Sequence, residues 1–188
     1  MPRVIALLFF GVVGLIFPAG AAAQTSSTGG AQFSDDAPIV APGSKATLLP
    51  DGTAAAPADA PPQVQAAIFA ANKLLDKPYK YGGGHAKVED SGYDCSGTVS
   101  YALLAAKLLE SPLDSGSFMR WGLKGKGSWI TVYTNPGHAF AVIAGLRLDT
   151  STGGIISRKI TRTAERGPRW RLALRNTRGF KARHPLGL

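Results

Sequence analysis

The chain has 188 residues, a formal net charge of +9 at pH 7 and one cysteine. A single cysteine excludes an internal disulfide framework. With only three scattered histidines beside it, no zinc-ligand spacing is present, so we expect neither a metal nor another cofactor. Residues 158–188 carry ten basic side chains and one acidic one, whereas residues 1–157 carry eleven of each sign. Such a basic stripe is typical of a polyanion-binding surface, and a plain solvated surface is the alternative.

Residues 1–23 have the pattern of a secretory signal peptide. Arg3 provides the positive charge, an apolar run follows from Val4 to Phe17, and three alanines precede Gln24. The run is shorter than the roughly 20 residues of a membrane-spanning helix, so we expect cleavage rather than an uncleaved anchor. The mature protein is then secreted, without a stable membrane span. A lone thiol in that oxidising compartment predicts either an intermolecular bridge or a reactive group.

Residues 24–61 are rich in Ala, Pro, Ser, Thr, Gly and Asp. They show little aliphatic periodicity and cannot bury enough apolar area to offset the entropy lost when a chain becomes ordered. We therefore expect a flexible linker there, with room for one short strand at 46–49 before the turn Pro50-Asp51-Gly52. A folded domain with a basic C-terminal segment is expected over 62–188.

The first half of this domain is predicted to be helical. Apolar residues at helical spacing predict a helix over 63–75, which ends before Pro78. The glycine-rich stretch PYKYGGGHAKVEDSGYD follows and predicts a loop. A second helix is predicted over 95–109, and either Asp94 or Ser96 can cap its first turn.

The second half has the pattern of a β-sheet. Strands are predicted at 129–133, 139–144, 146–150, 155–160 and 170–174. The first two are joined by the turn Asn135-Pro136-Gly137, and a turn at Ala144-Gly145 leads into the third. Helices followed by strands indicate an α+β fold.

Cys95 lies where the polar loop meets the second helix, a position that suits a nucleophile. A nucleophilic cysteine reacts as the thiolate, which the free amides and the dipole of a helix N-terminus stabilise. Those amides can also form an oxyanion hole, and Gly97 leaves room for a substrate backbone. The alternative is a small buried structural cysteine, which the polar or bare neighbours Gly92, Asp94 and Ser96 argue against.

His138 is the best placed of the three histidines to act as general base, since it begins a predicted buried strand. His85 lies in the glycine-rich loop, and His184 lies near the C-terminus. If the predicted turn after the strand holds, Asp149 stands opposite Phe140 and can orient the imidazole. A one-residue shift of that turn would move Asp149 to the other sheet face, where it would only cap the next turn.

A Cys–His–Asp set in this order predicts a hydrolase with papain-like logic. The segments KPYKYGG, YDCSGTVSYAL and GHAFAVIAG resemble, in order and separation, those of the NlpC-type cell-wall cysteine peptidases. Six further segments are similar to an actinobacterial secreted subgroup, namely YGGGH, PLDSGSFMRWG, WITVYTNPGHAF, AGLRLDTS, GPRW and RHPLGL. The resemblance implies a papain-like α+β fold, with N-terminal helices packed on a small antiparallel sheet. It also implies hydrolysis of peptidoglycan stem peptides, usually between D-γ-glutamate and a diamino acid.

The resemblance further implies the roles of individual residues. Cys95 would be the nucleophile and His138 the base. Tyr79 would assist the oxyanion or the substrate carbonyl, and Asp94 and Ser96 would contact the substrate.

The chain departs from the family at the third polar position, where members often have His, Asn or Gln and this chain offers Asp149. An anionic acceptor can still orient the imidazole Nδ1–H and stabilise the imidazolium. The loop over 87–92 is also longer than usual, which would change the substrate groove.

The expected function is a secreted, cell-wall-associated peptidoglycan endopeptidase that forms an acyl-enzyme on Cys95. The same catalytic set would suit an N-acetylmuramoyl-L-alanine amidase or an acyltransferase. A cell-wall-binding protein without activity is the alternative from another class, and covalent dimerisation through Cys95 is a third. The basic segment suits an anionic cell-wall polymer, and we expect no nucleic-acid partner for an exported protein.

Overall fold

The computed structural model describes residues 38–151, 167–172 and 175–188, which form a mixed α+β fold. The helices are α1 (Pro62–Asn72), α2 (Cys95–Ala105) and α3 (Ser115–Phe118). The strands are β1 (Val40–Ala41), β2 (Thr47–Leu48), β3 (Ala54–Pro57), β4 (Leu123–Lys124), β5 (Ile130–Asn135), β6 (His138–Ile143), β7 (Leu146–Asp149), β8 (Arg169–Arg171) and β9 (Lys181–His184). The predicted signal peptide, the linker before residue 38 and the predicted strand at 155–160 lie outside the described residues.

Both predicted helices are present, and each ends earlier than the apolar spacing indicates. α1 begins with Pro62, whose fixed φ and missing amide suit the first helical position. α2 is capped by Asp94, whose carboxylate accepts the backbone amide of Gly97 at 2.7 Å. Beyond its last turn Lys107 adopts a φ of 57°, a left-handed conformation that an α-helix cannot continue. The short helix α3 was not predicted.

The larger sheet has six strands in the order β4-β9-β5-β6-β7-β8, and every neighbouring pair is antiparallel. β6 and β7 are joined by a two-residue turn in which Ala144 and Gly145 have φ values of 47° and 92°. The turn is therefore where the sequence predicts it. Ala141 pairs with Leu148, so the register continues to set Asp149 opposite Phe140.

The helices pack on this sheet around one hydrophobic core. α1 contacts α2, and α2 lies against β6 and β7. The core residues that are completely buried include Val64, Ile68, Leu103, Phe118, Ile130, Val132, Ile143 and Leu148. The first turn of α2 lies beside the beginning of β6, since the Cys95 side chain is hydrogen-bonded to His138.

The prediction of a flexible linker is wrong for residues 38–57. These residues form the three-stranded sheet β1-β3-β2, and β3 is buried along its whole length. The Asn72 side chain both accepts from the Ala54 amide and donates to its carbonyl, at 2.9 Å each. The three alanines of β3 are too small to give a hydrophobic pattern, yet their size lets the strand pack closely on α1. The predicted short strand at 46–49 is present as β2.

Two further strands complete the larger sheet. β8 corresponds to the strand predicted at 170–174, of which residues 173 and 174 lie outside the described part. β9 was not predicted, because its sequence Lys-Ala-Arg-His has no apolar alternation and the strand is only partly buried. Among the described residues, no helix is long and apolar enough to cross a membrane.

Candidate active site

Cys95, His138 and Asp149 are connected through the His138 imidazole. The His138 Nε2 atom lies 2.9 Å from Asp149 Oδ1, and the Cys95 side chain is hydrogen-bonded to the same ring. Because Nε2 faces the carboxylate, Nδ1 is the ring nitrogen left for the thiol. From the sequence we expect Asp149 to orient the Nδ1–H group, whereas the structure sets the carboxylate beside Nε2. All three residues are at most 9% exposed.

His138 is held in its charged form. Burial disfavours the imidazolium, but the hydrogen bonds and charges of Asp149 and Cys95 outweigh burial and raise the pKa of His138 to about 9. An imidazolium that persists at neutral pH beside a thiol is the arrangement in which a cysteine reacts as a thiolate–imidazolium pair.

Asp149 is surrounded by donors and cations. Its Oδ1 atom accepts the Ser151 amide at 2.9 Å, and its Oδ2 atom lies 3.1 Å from Arg175 Nη1 and 3.5 Å from Arg147 Nε. Burial would raise the pKa of Asp149, but the hydrogen bond and charge of His138, then Ser151 and Arg175, hold it below its ordinary value. Asp149 is therefore a carboxylate at neutral pH.

Cys95 opens into a groove of about 590 Å³. The first turn of α2 lines this groove, together with Tyr79 and Tyr81 from the glycine-rich loop. Asp114 and Arg120 also line it, so the groove presents both charges to a ligand. The Tyr81 ring is 90% exposed at the rim.

Asp94 and Ser96 flank Cys95 and belong to a hydrogen-bonded cluster with His85. The Asp94 carboxylate accepts the Gly97 and Gly82 amides, and His85 Nε2 lies 3.0 Å from its Oδ1 atom. The Ser96 hydroxyl lies 3.3 Å from the same imidazole nitrogen. Asp94 thus joins the glycine-rich loop to the start of α2, and His85 is more closely involved in the groove than its loop position indicates.

The prediction that Gly97 leaves room for a substrate backbone is wrong. A side chain at Gly97 would collide with the carbonyl oxygen of Gly83, because the loop backbone lies directly on the first turn of α2. The absence of a side chain therefore serves the packing of the loop on the helix, and the substrate backbone has no access there.

The sequence did not indicate the arginine residues around Asp149. Arg147 is two residues before Asp149 on β7, so strand alternation alone would have put both on one sheet face. Arg175 comes from the C-terminal segment, and no local pattern connects it to Asp149. The third histidine, His184, lies 3.1 Å from the Gly125 carbonyl through its Nδ1 atom.

No group of three or more His, Cys, Asp or Glu side chains suited to a metal ion occurs in the described part of the chain. A scan against protein-family models finds no match for this chain, and a search of curated proteins finds none either.

Proposed function

We propose that the protein is a cysteine hydrolase in which Cys95 is the nucleophile, His138 carries the proton and Asp149 orients His138. The observation that carries this proposal is the hydrogen-bonded series from the Cys95 thiol through the imidazole to the buried carboxylate. A structural cysteine requires neither group, whereas covalent catalysis requires both. The groove above Cys95 provides the space for a substrate.

Within this class we propose a secreted, NlpC-type peptidoglycan endopeptidase with a papain-like fold. The support is the resemblance of the motifs around Cys95 and His138, together with a helix that begins at the cysteine and packs on an antiparallel sheet. The pattern of residues 1–23 supports export, which would bring the protein to the cell wall.

The proposed reaction begins with attack of the Cys95 thiolate on the carbonyl carbon of a stem-peptide amide, usually the D-γ-glutamyl bond to a diamino acid. In the first turn of α2, the Gly97 amide is donated to Asp94, so the Cys95 and Ser96 amides are the ones that can stabilise the oxyanion. The His138 imidazolium donates its proton to the leaving nitrogen as the C–N bond breaks, which leaves a thioester on Cys95. His138 then takes a proton from water, and the resulting hydroxide releases the acid and regenerates the thiolate.

The polar and charged residues that line the groove suit a substrate that has peptide groups and charges of both signs. Tyr79 lines the groove beside Cys95, which suits the proposed contact with the substrate carbonyl. Asp94 and Ser96 provide polar atoms beside the nucleophile. Arg120, which also lines the groove, suits a carboxylate of the stem peptide.

The proposal is tested by alkylation of the protein with iodoacetamide. Cys95 is the only cysteine, so mass spectrometry should show one added group, and lysis of purified cell walls should stop. Complete alkylation with unchanged lysis would contradict the proposal. Cys95→Ala provides the matched control, because it should neither be labelled nor lyse the walls.

A further inference from the structure

Arg175 reaches the candidate active site from the C-terminal segment, here residues 175–188. Its Nη1 atom donates to Asp149 Oδ2 at 3.1 Å, while the other carboxylate oxygen faces His138. The guanidinium carbon lies 5.3 Å from the ring centroids of both Phe140 and Phe180. A planar cation that contacts two rings can turn little, so its direction toward Asp149 is defined.

The same segment also covers the imidazole. The Phe180 ring meets His138 edge to face with a centroid distance of 6.3 Å, and it packs on Phe140 at 5.2 Å. Arg175 thus covers part of Asp149, and Phe180 covers part of His138. Burial of this kind lowers the local dielectric and strengthens the interactions among the charges.

The charged and titratable groups around the pair come from α2, β7, β8 and the C-terminal segment. They are Cys95 on α2, Arg147 on β7, Arg169 and Arg171 on β8, and Arg175. Arg169 is directed to the carbonyls of Leu75 and Pro168. A carboxylate in the third position adds one negative charge beside the reacting thiolate, which a neutral His, Asn or Gln would not. Arg147 and Arg175, both next to Asp149 Oδ2, offset that charge.

We propose that Arg175 is a positioning residue for the proposed reaction, which holds Asp149 toward His138 and offsets the carboxylate charge. The inference depends on the proposed function only in the role given to His138. It also means that some basic residues of the C-terminal segment bind groups within the protein and not an external polyanion. Like Arg175, Arg183 is directed inward, since it donates to the carbonyl of Met119.

The experiment compares Arg175→Gln and Arg175→Met, which remove the charge, with Arg175→Lys, which retains it. Arg178→Met is the matched control, because Arg178 is exposed in the same segment. The His138 ring protons are followed by NMR against pH in each full-length variant, and thermal unfolding verifies that each variant is folded. Two charge-removing variants are included so that a folding defect in one does not decide the result.

We expect the His138 titration midpoint to move to higher pH in Arg175→Gln and Arg175→Met, because an opposing positive charge is lost. A displacement of Asp149 would lower the midpoint, but this effect should be the smaller one, since Asp149 Oδ1 still accepts the Ser151 amide. The midpoint should stay at its wild-type position in Arg175→Lys and Arg178→Met. Against peptidoglycan, kcat of Arg175→Gln should fall about tenfold, with KM changed less than about twofold. A wild-type midpoint in both charge-removing variants would overturn the inference, as would equal shifts in Gln and Lys. Absence of hydrolysis in wild type would contradict the proposed function alone, because the titration does not use substrate.

Discussion

Asp149 Oδ1 lies 2.9 Å from His138 Nε2, and the Asp149 side chain is completely buried. The two residues are on adjacent strands, one step apart diagonally, because Asp149 stands opposite Phe140 in the hairpin. A buried carboxylate in this position stabilises a positive charge on the imidazole ring. The contact therefore connects the register of one β-hairpin to the protonation state of the proposed catalytic pair.

Asp149→Asn should lower the upper limit of the active pH range. The amide keeps an acceptor for His138 but removes the negative charge, so the pKa of His138 should fall from about 9 toward its ordinary value. We expect kcat at pH 8 to fall about tenfold or more, measured as a pH–rate profile of cell-wall hydrolysis. Asp59→Asn at an exposed position is the control. An unchanged upper limb in Asp149→Asn would contradict this account of the pair.

The stability of the protein should fall between neutral and alkaline pH. The pKa of His138 is raised from 6.5 to about 9, so its protonation favours the folded state fully below pH 6.5. That contribution is lost as the pH rises through about 9. Thermal unfolding midpoints measured across this interval should decline in wild type, and the decline should be smaller in His138→Gln. Equal slopes in the two proteins would show that His138 does not contribute.

Gly97→Ala should destabilise the protein and displace the groove. The added methyl group would collide with the backbone of Gly83, which cannot move without shifting the glycine-rich loop from α2. We expect a loss of about 1–3 kcal/mol in the free energy of unfolding by urea. Gly137→Ala is the control, since its nearest neighbour would be Asn135 Oδ1 at 3.9 Å. Similar losses in both variants would argue against close packing as the cause.

Asn72→Ala should weaken the attachment of β3 to the helical layer. The Asn72 side chain bonds both backbone groups of Ala54 and accepts the Trp170 indole N–H at 2.8 Å. Loss of three hydrogen bonds with buried partners should cost at least about 2 kcal/mol, measured by urea unfolding. The exposed Asn176→Ala is the comparison, and it should change stability by less than about 0.5 kcal/mol. Equal stability of the two variants would contradict the proposed role of Asn72.

The parts of the fold that could be predicted are those with strong local patterns. Apolar spacing located α1 and α2, and the turn at Ala144 and Gly145 fixed the register that brings Asp149 toward His138. β3 was missed because three alanines give no hydrophobic signal, although they are completely buried. β9 was missed because its residues are mostly polar and only partly buried, so they show no apolar alternation. The strand is nevertheless paired with a neighbouring strand on both sides.

In the candidate active site, too, local patterns predict some residues, whereas other contacts depend on residues far apart in the sequence. The positions of Cys95 at the start of α2 and of His138 at the start of β6 could be predicted from local patterns. Arg175 lies 26 residues after Asp149, and its contact depends on the path of the intervening chain, which no sequence period encodes. The choice of His138 nitrogen was predicted wrongly, because ring orientation is decided by the three-dimensional packing around it.

Digestion of purified peptidoglycan with wild-type protein and with Cys95→Ala, followed by mass spectrometry of the fragments, tests whether Cys95 is the catalytic nucleophile. We expect fragments from wild type alone, cut between D-γ-glutamate and the diamino acid. Release of intact stem peptides would show the same nucleophile acting as an amidase. Equal fragments from both proteins, or none from either with both bound to the wall, would contradict catalysis by Cys95.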